Sequence, residues 1–129
     1  MSECALCRPP RAETVLWSDG RCRAILADEP GYPGFCRVVW NDHRAEMTDL
    51  GAEEQHRLLA VVLAVEGALR EVMKPDKVNL ASLGNRVPHV HWHVIPRFRD
   101  DPSWPDAGWA PAVRAAPAGR LPPDPARLA

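Results

Sequence analysis

Apolar and polar residues alternate most cleanly along His89-Val90-His91-Trp92-His93-Val94-Ile95-Pro96-Arg97. Successive side chains of an extended strand point to opposite faces, so Val90, Trp92 and Val94 share one side and His89, His91 and His93 the other. The pattern predicts a half-buried strand over 89–97, its apolar side on a core and its imidazole side toward water or a ligand. A second periodicity runs through 52–73, where Leu58, Leu59, Val62, Val65, Leu69 and Val72 recur at spacings of three and four. It predicts one long helix with a single apolar stripe. Glu53, Glu54, Arg57, Glu66, Arg70 and Glu71 fall largely off that stripe and read as a solvated face, and His56 reads as solvent-facing. Met47-Thr48-Asp49-Leu50 supplies capping chemistry ahead of the helix, and Lys74-Pro75-Asp76 ends it.

Shorter runs predict strands over 14–17, 22–27, 35–40 and 77–83. Asp19-Gly20 suits the tight primed turn of a hairpin between the first two. Asp28-Glu29-Pro30-Gly31-Tyr32-Pro33-Gly34 reads as a loop, and Asn41-Asp42-His43-Arg44 as a polar corner. Gly84-Asn85-Arg86-Val87-Pro88 turns the chain into the histidine strand, a short connection that implies antiparallel pairing and brings Asn79 and Asn85 near the imidazole face. From 106 onward the chain is Ala, Pro, Gly and Arg, with few large apolar groups to offset its ordering entropy. The expected organisation is one domain over 1–109 and a loosely ordered Pro/Ala-rich tail over 110–129, with Trp104 and Trp109 pinned against the body or a partner subunit.

Composition narrows the function classes. A chain of 129 residues with a formal net charge of −1 carries no bulk field for nucleic acid or a membrane surface, so a charged ligand has to be recognised locally. No apolar run is long enough to span a membrane and the N-terminus lacks a basic-then-apolar segment, so a cytoplasmic protein is expected. Four cysteines are too few for a disulfide scaffold. Cys4-Ala5-Leu6-Cys7 has metal-ligand or redox spacing, whereas Cys22 and Cys36 fall in predicted strands and read as small buried hydrophobes.

Three imidazoles on one face are costly as ordinary packing, because each wants partners for two nitrogens. Two chemistries suit them. Imidazoles two apart on a strand can reach one metal ion, with a further ligand from elsewhere, although the nearest carboxylates, Asp100 and Asp101, lie beyond the strand. Alternatively, a neutral imidazole attacks phosphorus while its neighbours bind the phosphate on either side. Backbone amides of 84–87 and the side chains of Asn79 and Asn85 would then supply further donors as charge develops.

The stretch 89–95 resembles the His-x-His-x-His-x-x signature of the histidine triad (HIT) family, with x apolar, and Val94-Ile95-Pro96-Arg97 is similar to the ending common in its hydrolase branch. The resemblance, closest to bacterial diadenosine-polyphosphate-hydrolase-like members, extends through Asn79, Gly84-Asn85, the 35–43 strand and corner, and the cysteine pair. It implies an α+β, HIT-like fold of about five antiparallel strands with one long helix on the apolar side, assembled as a homodimer. It also implies nucleotidyl transfer to water or another acceptor, on dinucleoside polyphosphates or nucleoside phosphoramidates, with no cofactor required for the chemistry. By position, His91 is the nucleophile, His93 and His89 bind the phosphate and help the leaving group, Asn79 and Asn85 are amide ligands, and Asp28 or Glu29 accepts from the ribose hydroxyls.

Two departures stand out. Arg86 occupies a place where the family often has a hydroxyl, and Phe35 one where a histidine is frequent; Arg86 can substitute as a cation. They leave open a nucleotide-binding sensor with little catalysis, beside a metal-dependent protein with histidine ligands. Some bacterial members are similar in a further respect: an N-terminal Cys-x-x-Cys joins a histidine after the third strand and one from the triad to hold structural zinc. The corresponding residues are Cys4, Cys7, His43 and His89, so His89 stands open between substrate and metal.

Overall fold

The computed structural model describes residues 4–9 and 12–124. Its elements are β1 (Thr14–Ser18), β2 (Cys22–Leu26), β3 (Cys36–Trp40), α1 (Ala52–Met73), β4 (Lys77–Ala81) and β5 (His91–Arg97). The strands form one five-stranded antiparallel sheet in the order β1-β2-β3-β5-β4, so the last strand slots between the third and fourth. This is the α+β arrangement that the sequence implied.

Local chemistry sets the connections. Asp19 closes the first hairpin by accepting from the backbone N–H groups of Arg21 and Cys22 at 2.8 and 2.9 Å, a use typical of Asp in turns. A single 3-10 turn over Met47–Asp49 leads into α1, and the Gly51 N–H donates to Glu54 Oε1 at 2.8 Å, satisfying a donor that the helix start would leave unpaired. At the far end Lys74 adopts φ 51°, and its N–H still reaches the Arg70 carbonyl. Gly34, at φ 86°, has no room for a side chain: a Cβ there would lie 3.0 Å from Pro96 Cγ.

The helix lies on one face of the sheet. Leu58, Val61, Val62 and Leu69 are buried with Leu16, Ala24, Val38, Trp40, Val90 and Val94. One member of the expected stripe is displaced: Leu59 is 36% exposed, and Val61 packs in its stead. The helical turn of about 100° per residue carries position 59 away from 58 while position 61 returns to within about 60°.

The histidine strand also starts later than the alternation predicts. Pairing begins at His91. Ahead of it the Val90 N–H donates to the Arg44 carbonyl and the Trp40 N–H to the Val90 carbonyl, so residues 89–90 run beside the corner after β3. His89 therefore turns its ring toward that corner.

On the face opposite the helix, β5 ends in a buried ion pair. Arg97 Nε lies 2.6 Å from Asp101 Oδ2, both side chains almost fully buried. Regular structure stops there, and side chains hold the segment beyond it. Arg114 donates to the carbonyls of Asp101 and Trp104, Arg120 pairs with Asp100 and covers the Phe98 ring, and the Val113 N–H reaches the Pro102 carbonyl. Trp104 sits by the Arg97 guanidinium, but Trp109 stands 63% exposed rather than pinned against the body.

Candidate active site

Antiparallel register brings the chemistry together. His91 and His93 leave β5 on the face away from α1, opposite Val39 and Arg37 of β3. The turn through Gly84, at φ 76°, sets Asn85 and Arg86 at the rim. With Leu6 from the N-terminal segment they line a cleft of about 470 Å³.

His91 is nearly buried, with its Nδ1 2.6 Å from the His89 carbonyl oxygen. A carbonyl only accepts, so Nδ1 carries the proton and donates, leaving the Nε2 lone pair free. Burial lowers the His91 pKa below the ordinary imidazole value; the bond to the His89 carbonyl opposes this and the Arg37 charge reinforces it. His93 is pushed down to about 4, by burial first and then by the charges of His91 and Arg37. Its Nδ1 is buried with no hydrogen-bond partner. A proton placed there would have no acceptor, so the neutral ring carries its proton on Nε2. The cleft thus pairs an imidazole nitrogen able to attack with one able to donate. Phe35 packs edge-on against His93, with ring centroids 5.3 Å apart.

Some expected site residues lie elsewhere. Asn79 is on the imidazole face of β4, opposite Ile95, but its Oδ1 accepts from Arg97 Nη1 at 2.8 Å and it does not line the cleft. Asp28 and Glu29 line a separate cavity of about 330 Å³ with Tyr32, Phe98 and Arg120. Glu29 also reaches toward the cleft, 3.6 Å from Arg37. Arg37 itself was missed by the sequence reading. The signal was its position between Cys36 and Val38, a lone charge on the outward face of a strand. Only the register with β5 shows which residues it confronts.

His89 lies outside the cleft lining, with both ring nitrogens engaged. Nε2 donates to the Trp40 carbonyl, which turns Nδ1 toward Cys4, Cys7 and His43. His89 Nδ1 lies 3.3 Å from Cys4 Sγ, 3.4 Å from Cys7 Sγ and 3.2 Å from His43 Nδ1, and Cys7 Sγ lies 3.4 Å from His43 Nδ1. Ordinary zinc–ligand lengths in a tetrahedron separate two nitrogens by about 3.3 Å and a nitrogen from a sulfur by about 3.6 Å. The donor set fits zinc in type and spacing, and the Trp40 carbonyl supplies the outer hydrogen bond that fixes a ligating imidazole.

Known proteins share this fold. A histidine triad protein of Bradyrhizobium japonicum superposes with a TM-score of 0.71 at 30% identity, over 81% of this chain and 78% of its own. One from Marinobacter aquaeolei gives 0.69 at 33% identity, over 78% and 75% of the two chains. An uncharacterized HIT-like protein of Borreliella burgdorferi is 26% identical over 111 residues, 78% of this chain and 80% of that one. The HIT domain matches residues 9–100, a span containing the whole imidazole strand and the sheet that presents it, and the chain belongs to that family.

Proposed function

We propose that the protein is a nucleotide phosphohydrolase or nucleotidyl transferase working through a covalent nucleotidyl-His91 intermediate. The family is generally one of nucleotide-binding hydrolases or transferases. The observation that carries the reading is the His91 Nδ1 bond to the His89 carbonyl, which leaves a neutral imidazole with its Nε2 lone pair free in a cationic cleft. Nε2 attacks the α-phosphorus, the bond to the leaving group breaks, and water or another acceptor then takes the nucleotidyl group. His93 donates through Nε2 to a phosphate oxygen, and Asn85, Arg86 and the amides of the turn stabilise the charge that develops. Glu29, linked to the cleft through Arg37, is the better placed of the two carboxylates proposed for the ribose.

Cys4, Cys7, His43 and His89 would hold a structural zinc that ties the N-terminal segment to the corner after β3; the ion lends rigidity and no chemistry to the transfer. His89 on this reading serves the cluster with its ring and the nucleophile with its carbonyl. The protein would act in the cytoplasm as a homodimer, for which the exposed edge of β4 with Leu80 and Leu83 offers a pairing surface. No helix among the described residues is long and apolar enough to cross a membrane.

The test is turnover of dinucleoside polyphosphates and nucleoside phosphoramidates, with mass-spectrometric trapping of the adduct. His91→Ala should remove turnover and adduct together while the melting curve persists. Full hydrolysis by His91→Ala would sink the reading. Micromolar nucleotide binding without product would favour a sensor, which the replacement of a frequent histidine by Phe35 beside His93 also supports.

A further inference from the structure

Arg37 is a charge that the transfer step alone does not require. It stands opposite His93 in the ladder, with its guanidinium over the Phe35 ring at 5.3 Å. Its counter-ion is loose: Glu29 lies 3.6 Å away without a hydrogen bond, both side chains in partial contact with solvent. Such a pair contributes little and yields to a stronger anion. Arg86 lines the same cleft, and among the described residues no hydrogen bond or ion pair engages it. Two cations therefore share one small cleft with two imidazoles, while the phosphoryl group under attack in a nucleotide diester carries about one negative charge. The surplus matches a second phosphate.

We propose that Arg37, with Arg86, binds the leaving phosphate of a substrate carrying two or more linked phosphates, and thereby sets a preference for phosphoric anhydrides over phosphoramidates. The inference rests on His91 being the nucleophile. In that step the Nε2–P bond forms and the bond from phosphorus to the bridging oxygen breaks, and its electron pair stays on the leaving phosphate. That group departs as an anion and needs no proton. Guanidinium groups fixed beside it stabilise charge where it grows, and their fork of donors matches phosphate oxygens. An amine leaving group offers no negative charge to bind.

The experiment measures kcat/KM for diadenosine tetraphosphate and for adenosine 5′-phosphoramidate on wild type, Arg37→Leu and Arg37→Lys. Losing a charge-assisted hydrogen bond to phosphate lowers the polyphosphate-to-phosphoramidate ratio by about 30-fold or more in Arg37→Leu, with partial recovery in Arg37→Lys. An unchanged ratio overturns the proposal. A calorimetric arm compares ATP with AMP: wild type should bind ATP at least about tenfold tighter, and Arg37→Leu should close the gap. If wild type turns over neither substrate, the nucleophile reading fails by itself and the ATP–AMP comparison still decides Arg37. Equal affinities in wild type, or an undiminished gap in Arg37→Leu, reject its role.

Discussion

Asp101→Asn is the substitution that most directly tests how the region after β5 is held. Arg97 is buried with four side-chain hydrogen bonds: two to Asp101, at 2.6 and 3.0 Å, one to Asn79 Oδ1 and one to the Asp106 carbonyl, each at 2.8 Å. The rings of Tyr32 and Trp104 flank it. The Asp101 carboxylate in turn accepts from the backbone N–H groups of Phe98, Ser103 and Trp104. Burial alone would raise its pKa, but Arg97 and these amides outweigh burial and hold it below the ordinary carboxylate value. Asn keeps the shape and removes the charge, leaving a buried guanidinium unpaired, at a cost of about 3–5 kcal/mol. With an unfolding entropy of about 0.27 kcal/mol/K for a chain this long, 4 kcal/mol lowers the melting midpoint by about 15 °C. Differential scanning calorimetry reads it, with Glu53→Gln as control, because Glu53 pairs with Arg21 in open solvent and its loss should move the midpoint by about 2 °C at most. A drop of less than about 4 °C in Asp101→Asn would refute the reasoning.

Zinc added to metal-free protein should raise the midpoint: free zinc at about a thousand times its dissociation constant contributes about 4 kcal/mol, again about 15 °C, and Cys7→Ser should lose most of the rise. An unmoved midpoint would mark the cluster as two thiols beside two imidazoles. The depressed His93 pKa gives a pH signature. Between about 6.5 and about 4 the unfolded chain binds a proton that the folded one refuses, so stability is fully present above 6.5 and falls as pH drops, by about 1.4 kcal/mol per unit from this group. Urea titrations at pH 7 and 5 should therefore show a smaller acid loss in His93→Asn than in wild type, and equal losses would count against a neutral His93.

The elements best read from sequence were those whose pattern is local. The bounds of α1 were expected as found because capping polar groups, a run of apolar spacings and Lys74-Pro75 all act within a few residues of the helix. The antiparallel pairing of β4 with β5 followed from a short turn. What the pattern could not carry was partnership across the sheet. Alternation gave all three histidines one face, yet the ladder ends ahead of His91: the Val90 N–H bonds the Arg44 carbonyl, some fifty positions upstream, and the His89 N–H bonds the Val87 carbonyl. Asn79 shows the same limit. It lies on the expected face, but Arg97, on the strand beside it, takes its oxygen. Arg37 is the converse: its neighbours mark it only as a lone outward charge on a strand, and the β3–β5 register alone sets it against His93.

The ring and the backbone carbonyl of His89 point to different places. The ring cannot face both ways, and the Trp40 carbonyl on Nε2 commits Nδ1 to the two thiols and His43. The backbone carbonyl remains, and it fixes the tautomer of His91 at 2.6 Å. A single peptide turn, with the His89 N–H on the Val87 carbonyl, thus ties the Cys/His cluster to the imidazole that would attack phosphorus. Stiffening the cluster stiffens the acceptor that holds the His91 proton on Nδ1. The N-terminal segment adds to the same effect, because Leu6 lines the cleft while its carbonyl accepts from Arg23 of β2. A metal there would act on the reaction without touching the substrate: through the direction of one carbonyl and the position of one apolar side chain.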